Sequence, residues 1–251
     1  MSDPVNDSHT MSSGSSNHII HRDSSPSTER GAQLMDMFTT QVRGFWITKK
    51  MYQDDPEAIR MYNCCEMGST FDKGRSDRPA NMPQGIRITY ILSDDGSRVP
   101  SGLVSHLPDM ASETRAQLTK YDDQSLHGHE HIIDWLESEI TPFVKEYREK
   151  YPGNGGDFSQ CINMKLLWTQ PEFCKHGMAH SLVSDVISRS HESGNSIFVF
   201  SDTEAGHRLY RRMGFETFLE KTFEDEEGSP TIRAICYDPA RVSQKDTPSA
   251  H

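Results

Sequence analysis

The sequence has no long apolar run. Of its 251 residues 34% are hydrophobic, and no uninterrupted apolar stretch approaches membrane-spanning length, so no membrane partner is expected. It also lacks an excess of positive charge. Twenty-six Lys and Arg against 37 Asp and Glu leave a formal net charge of −11. Binding a phosphate backbone needs a basic face, so this balance argues against a general nucleic-acid binder and suits a cationic substrate better. Cysteines are few and unpaired in pattern. Cys64, Cys65, Cys161, Cys174 and Cys236 are odd in number and fall in no disulfide-framework or metal-ligand spacing, which indicates a reducing compartment and no metal. Met1 to Asn17 is almost free of apolar residues and lacks the hydrophobic segment of a secretory signal. A cytoplasmic location is the expectation, with the nucleus left open.

What is present reads as one mixed α/β domain. Residues 1–17 and 241–251 are polar and poor in core-forming side chains, and both read as disordered tails flanking a single domain over 18–240. His18 to His21 is a candidate first strand, followed by a helix through Leu34, Met35, Met37 and Phe38. Phe45 to Met67 reads as helical with a break near Asp54 to Pro56, and Gly68 to Gln84 as a loop. Alternation over Ile86 to Leu92, the turn at Asp95-Gly96 and Gly102-Leu103-Val104 predict a hairpin. Ile132, Ile133, Leu136, Ile140, Phe143, Val144 and Tyr147 recur at helical spacing, ending at Tyr151-Pro152-Gly153.

The block from Cys161 to Phe215 is the most informative. It reads as a strand over Ile162 to Trp168, the loop Cys174-Lys175-His176-Gly177-Met178-Ala179, a helix closed by Gly194, and an apolar strand Ile197 to Phe200 buried on both faces. A short helix over Glu204 to Arg212 follows, with closing strands at Phe215 to Leu219 and Ile232 to Tyr237. A glycine loop entering a helix N-terminus can hold an anionic phosphate with backbone N–H groups and the helix dipole. Gly177 lets backbone approach closely, and Lys175 and His176 add positive character. A phosphate-bearing cofactor is the first expectation.

This order, the loop, and Leu209-Tyr210 followed by Gly214-Phe215 resemble the acetyl-CoA-binding core of the GNAT superfamily of N-acetyltransferases. The pattern looks most like small-molecule enzymes of filamentous fungi in that superfamily, and the likeness is specific over about Ile162 to Leu219. The family's loop starts with Gln or Arg where this chain has Cys174. The resemblance implies a mixed sheet flanked by helices on both faces, with acetyl-CoA as co-substrate. Cys174, Lys175, His176, Gly177, Met178 and Ala179 would hold the pyrophosphate, with Cys174 giving one N–H. The exposed backbone of Leu167, Trp168 and Thr169 would pair with the pantetheine arm. Thr203 would contact the cofactor, with Gly206 as the small residue one turn on. Tyr210 would protonate the departing thiolate, a phenol keeping its proton at neutral pH; its other reading is a core tyrosine closing a helix.

The implied reaction is acetyl transfer to an amine of a small molecule. Acetylation of a protein lysine or N-terminus, and a non-catalytic acyl-CoA-binding module, are the alternatives. The amine must lose a proton, yet Ile162 to Trp168 carries no carboxylate. Asp157, Glu172 and His207 are candidate bases, each read first as a solvated or capping residue, and the base stays unassigned. His127-Gly128-His129-Glu130-His131 reads either as a metal motif or as a helix entry. Phe45, Trp46, Met51 and Tyr52 could line an acceptor pocket or pack in the core. Glu224 to Glu227 could attract a cation or simply be solvated. Oligomeric state and acceptor stay open.

Overall fold

The computed structural model describes residues 18–23, 28–52, 55–67, 85–110, 132–224 and 229–245, with isolated positions between 112 and 129. Seven strands form one mixed sheet in the order β1-β2-β3-β4-β5-β7-β6. They are β1 (Ile20–Asp23), β2 (Ile86–Ile91), β3 (Ser101–His106), β4 (Ile162–Thr169), β5 (Ile197–Ser201), β6 (Glu216–Thr222) and β7 (Thr231–Tyr237). The helices are α1 (Thr28–Gly44), α2 (Trp46–Tyr52), α3 (Pro56–Met67), α4 (Ile133–Trp135), α5 (Thr141–Lys150), α6 (Met178–Ser193), α7 (Glu204–Arg212) and α8 (Pro239–Lys245). Packing divides the chain into two compact units, residues 1–130 with 165–183, and residues 131–164 with 184–251. Each takes part of β4 and part of α6.

In the first unit β1, β2 and β3 form an antiparallel run, with Ile20 opposite Ile91 and Ile88 opposite Val104. Leu34, Met37, Phe38 and Val42 make the buried face of α1. Burying each such side chain favours folding by about 1.5–3 kcal/mol. Gly102 lets the helix sit close to β3, since a Cβ there would lie 2.8 Å from Met37 Cε and 3.2 Å from Leu34 Cδ2 and Phe38 Cζ. The break expected near Asp54 to Pro56 separates α2 from α3, and the Asp55 carboxylate accepts from the N–H groups of Glu57 and Ala58 at the start of α3. The Gly68 to Gln84 loop lies outside the described residues.

In the second unit β4 pairs with β5 in parallel over Ile162 to Met164, and β7 runs antiparallel to both β5 and β6. The helical spacing read from Ile132 to Tyr147 is interrupted. Leu136–Ile140 forms a π-helical turn in which the Thr141 N–H reaches the Leu136 carbonyl. Pro142, which has no N–H to continue the α register, explains the local change. Phe143 and Tyr147 pack on Phe198 and Phe200, Tyr147 stacking on Phe198 at 5.0 Å. On the other face the His191 ring of α6 hydrogen-bonds the Tyr237 hydroxyl of β7 at 2.8 Å. Helices therefore cover both faces, as expected. Phe200 departs from the expectation of burial on both faces: next to last in β5, it is 40% exposed although the rings of Phe143, Tyr147 and Phe198 lie against it. Arg241 to Lys245, read as part of a tail, continue α8, where the Asp238 carboxylate accepts the Ala240 N–H.

Candidate functional site

Past Met164, the β4 backbone belongs to the first unit and takes side chains on its carbonyls. Gln41 Nε2 donates to the Leu167 carbonyl at 2.8 Å. Ser101 Oγ lies 2.9 Å from the Trp168 carbonyl and 2.8 Å from Thr169 Oγ1. The strand end whose backbone the resemblance offers to the pantetheine arm thus has two carbonyls in contact with side chains of its own unit. It is closed off by the Gln170 N–H on the Pro100 carbonyl at 2.8 Å and Gln170 Nε2 on the Val99 carbonyl at 3.0 Å. Arg98, from the β2–β3 connection, holds the next turn. Its guanidinium donates to Gln170 Oε1 at 2.8 Å and Glu172 Oε1 at 2.7 Å and lies over the Phe173 ring.

The loop itself turns through two left-handed residues, Lys175 with φ +68° and Gly177 with φ +82°. Glycine takes such a φ without a steric penalty, whereas Lys175 bears one. The Gly177 carbonyl accepts the Ser181 N–H at 2.9 Å, so α6 starts here with Met178, and the N–H groups ahead of Ser181 lie at the positive end of the helix. His18 Nε2 donates to the His176 carbonyl at 2.7 Å and ties the loop to the chain ahead of β1. Cys174, Lys175 and His176 are exposed, Gly177 and Ala179 half-buried, and Met178 buried. The Cys174 N–H, expected to face the pyrophosphate, donates here to the Pro171 carbonyl at 3.2 Å and closes the 3₁₀ turn Pro171–Phe173.

In the second unit Thr203 is the N-cap of α7, its Oγ1 accepting the Gly206 N–H at 3.2 Å. Gly206 is small for a local reason: a Cβ would lie 3.0 Å from Thr203 Oγ1 and 3.1 Å from Ser201 Oγ. The far end of α7 explains the Tyr210 to Phe215 spacing. The Phe215 N–H bonds the Tyr210 carbonyl at 3.1 Å and the Gly214 N–H the Arg211 carbonyl at 3.2 Å, with Gly214 at φ +89°, which is a Schellman cap. Its apolar contact is the Tyr210 ring on the Phe215 ring, centroids 5.3 Å apart. Tyr210 is 5% exposed, and burial, followed by the negative charge of Asp202, pushes its phenol well above the ordinary value of 10.0. Burial also raises the Asp202 carboxyl.

Comparison with solved structures bears on this arrangement. Arylalkylamine N-acetyltransferase 2 from Aedes aegypti matches with a TM-score of 0.52 at 14% identity, over 88% of this chain and 99% of that one. The chain has the GNAT fold. Also similar are the Drosophila melanogaster polyamine N-acetyltransferase (TM-score 0.49, 15% identity, 87% and 99% covered) and a GNAT superfamily phosphinothricin acetyltransferase from Sinorhizobium meliloti solved with acetyl-CoA (TM-score 0.48, 9% identity, 87% and 88% covered). No family sequence model and no curated protein matches.

Within the GNAT fold the remaining predicted residues separate clearly. Asp157 accepts from the Ser159 N–H at 2.9 Å and caps a 3₁₀ turn. Glu172 pairs with Arg98, and its own backbone N–H and that guanidinium hold its carboxyl below the ordinary value. His207 Nε2 lies 2.9 Å from Thr217 Oγ1. All three have local structural partners. Of the five-residue histidine motif, His129 is described: it is buried, its Nε2 lies 3.2 Å from Asp55 Oδ2, and its ring meets Tyr52 edge-on. Among the described residues no group of His, Cys, Asp and Glu has the makings of a metal site. Met51 and Tyr52 are core residues, 8% and 0% exposed, while Phe45 and Trp46 are half-buried. Gln41 escaped the sequence reading. Its signal is a polar residue at a core position of an apolar helical face, three residues after Phe38 and seven after Leu34.

Proposed function

We propose that the chain is an acetyl-CoA-dependent N-acetyltransferase acting on the amine of a small molecule. The observation that carries this reading is the loop Cys174 to Ala179, turned by two left-handed residues into the N-terminus of α6 within a GNAT fold. Backbone N–H groups of Lys175, His176, Gly177, Met178 and Ala179 would hold the pyrophosphate, reinforced by the helix dipole and the Lys175 charge. The pantetheine arm would lie along Leu167, Trp168 and Thr169. A neutral amine nitrogen attacks the thioester carbonyl, the new C–N bond forms, and the C–S bond breaks. The sulfur leaves as a thiolate and takes a proton, for which Tyr210 is the proposed donor; the acetylated nitrogen releases one proton to solvent, and Tyr210 regains its own from solvent.

The environment of Tyr210 keeps it protonated throughout the neutral range. Its hydroxyl can stabilise charge on the sulfur as that charge grows, since a donor matters most where charge develops in the transition state. Thr203 stays a proposed cofactor contact beside its capping role. The acidic balance of the chain and the name of one similar protein, an arylalkylamine N-acetyltransferase, favour a cationic small amine over a peptide. No metal takes part in this scheme, and the proposed setting is a single domain over 18–240 in the cytoplasm.

Thiol release from acetyl-CoA by the purified chain, measured across a panel of amines, lysine peptides and N-terminal peptides, tests the reading. Turnover with small amines is expected. Turnover confined to peptides would move the assignment to protein acetylation, binding without turnover would leave an acyl-CoA-binding module, and absence of binding would end both.

A further inference from the structure

Leu34, Met37, Phe38 and Val42 build the buried face of α1, and Gln41 is buried among them at 7% exposure. Its Nε2 donates to the Leu167 carbonyl at 2.8 Å. A carbonyl can only accept, so the amide NH₂ must face it and Oε1 must point elsewhere. That oxygen is buried and has no hydrogen-bond partner among the described residues. An unpaired buried acceptor is unfavourable, and a Leu or Met at this position would fill the volume without it. The bond to the Leu167 carbonyl accounts for the Nε2 half of the carboxamide, and nothing among the described residues accounts for the buried oxygen.

Its position on β4 supplies the explanation. The Trp168 carbonyl takes Ser101 Oγ, from β3. Successive carbonyls of a strand point to opposite edges, so the Leu167 carbonyl opens on the edge away from β3, past the last β5 pair at Met164. This is the stretch of backbone along which the thioester arm was laid above, and the inference rests on that reading.

We propose that Gln41 is a ligand-binding residue: Nε2 stays on the Leu167 carbonyl while Oε1 accepts a hydrogen bond from an N–H of the bound ligand. The carboxamide thus relays the strand edge outward by one hydrogen-bonding group. Oε1 is covered in the structure, and the side chains over it must move aside for the ligand's N–H to reach it while Nε2 keeps its place. Two groups in the proposed reaction carry a suitable N–H: an amide of the thioester arm and the acceptor amine. Both meet the same acceptor oxygen.

The test compares the full-length wild type with Gln41→Met, which keeps the volume, and Gln41→Glu, studied at a pH where its buried carboxyl is protonated, so that its O–H donates to the Leu167 carbonyl and its other oxygen still accepts. Acetyl-CoA affinity is measured by calorimetry and kinetics with the amine that turns over. Gln41→Met removes the unpaired oxygen but also the donor to the Leu167 carbonyl, and it is expected to melt near the wild-type temperature. If the N–H belongs to the thioester arm, its Kd for acetyl-CoA rises about tenfold while the KM for amine holds. If it belongs to the amine, the Kd holds and kcat/KM for the amine falls about tenfold. Gln41→Glu recovers part of whichever loss is seen. Should Gln41→Met fail to fold, Gln41→Asn, which keeps the amide but shortens its reach, is put through the same two measurements. A wild-type enzyme with a Gln41→Met variant within about twofold in both quantities, or a Gln41→Glu variant impaired as much as Gln41→Met, overturns the proposal. If no amine turns over, the Kd alone decides it. Failure of the wild type to bind acetyl-CoA is a different result, and it removes the functional reading on which the proposal stands.

Discussion

Gly177 and Tyr210 show how much single residues decide in this chain. Gly177 sits at φ +82°, where a Cβ strains the backbone. Gly177→Ala is expected to lose about 1 kcal/mol of stability or more and to weaken acetyl-CoA binding together with it, measured by thermal melting and calorimetry. A variant that melts lower but binds equally well would detach the loop from cofactor binding. Tyr210→Phe keeps the ring packing on Phe215, so its melting temperature should stay at the wild-type value. Its kcat is expected to fall by roughly 100-fold, in the range of general acid catalysis. An unchanged kcat would leave Tyr210 with its capping contact alone, a role the Schellman geometry already accounts for. The pattern Tyr210, Gly214, Phe215 was legible because a helix cap is a local device. Gln41 was passed over because its partner, Leu167, lies 126 positions further along the chain.

At the scale of elements, α1 and the end of β4 depend on one another through Gly102. The close approach that Gly102 permits places Leu34, Met37 and Phe38 on β3, and Gln41 follows one helical turn beyond Met37, at Leu167. Gly102→Val should destabilise the fold by about 1–3 kcal/mol through overpacking against α1, read as a lower midpoint in urea. Acetyl-CoA affinity should fall further than in Gly177→Ala if the helix also carries Gln41 away from the strand. A stability loss with unchanged affinity would show that α1 does not reach the cofactor. Other elements were readable from pattern. The break before Pro56, the Asp95-Gly96 turn and the start of α7 at Glu204 all follow from capping, turn or proline chemistry. The π turn at Leu136–Ile140 was not, since Pro142 announces a perturbed helix without saying which register replaces it.

For the whole molecule, pH dependence follows from opposing groups. Hydrogen bonds from Ser93 and Ser97 hold the Asp95 carboxyl at about 2, below its ordinary 3.8, and Asp55, Glu57 and Glu172 are shifted the same way by their own hydrogen-bonding partners. A carboxyl depressed on folding stabilises the native state above its unfolded value, and that contribution is lost as pH falls through the folded value. Asp202, raised by burial, works in the opposite direction over the same acidic range. At the alkaline end burial pushes the Cys236 thiol up from 9.0 to about 12, and Tyr151 and Tyr210 are raised as well. These groups ionise earlier in the unfolded chain, so their stabilisation is full below pH 9 and declines above it. Urea midpoints across pH are expected to form a plateau between about 4 and 9, falling on both sides. A midpoint that rises between pH 9 and 11 would contradict the burial of these groups.

Sequence alone determined the order of strands and helices from β2 to β7, the loop at Cys174 to Ala179 and the spacing of Tyr210 from Gly214 and Phe215. Each of these is written in periodicities, glycine positions and caps that act within a few residues. The tertiary structure decided which backbone groups are still available to a ligand. It engaged the Cys174 N–H and the Leu167 and Trp168 carbonyls, gave Asp157, Glu172 and His207 local partners, and buried an unpaired oxygen of Gln41. Hydrogen-bond satisfaction depends on groups brought together from distant parts of the chain, and no local pattern records which of them will meet.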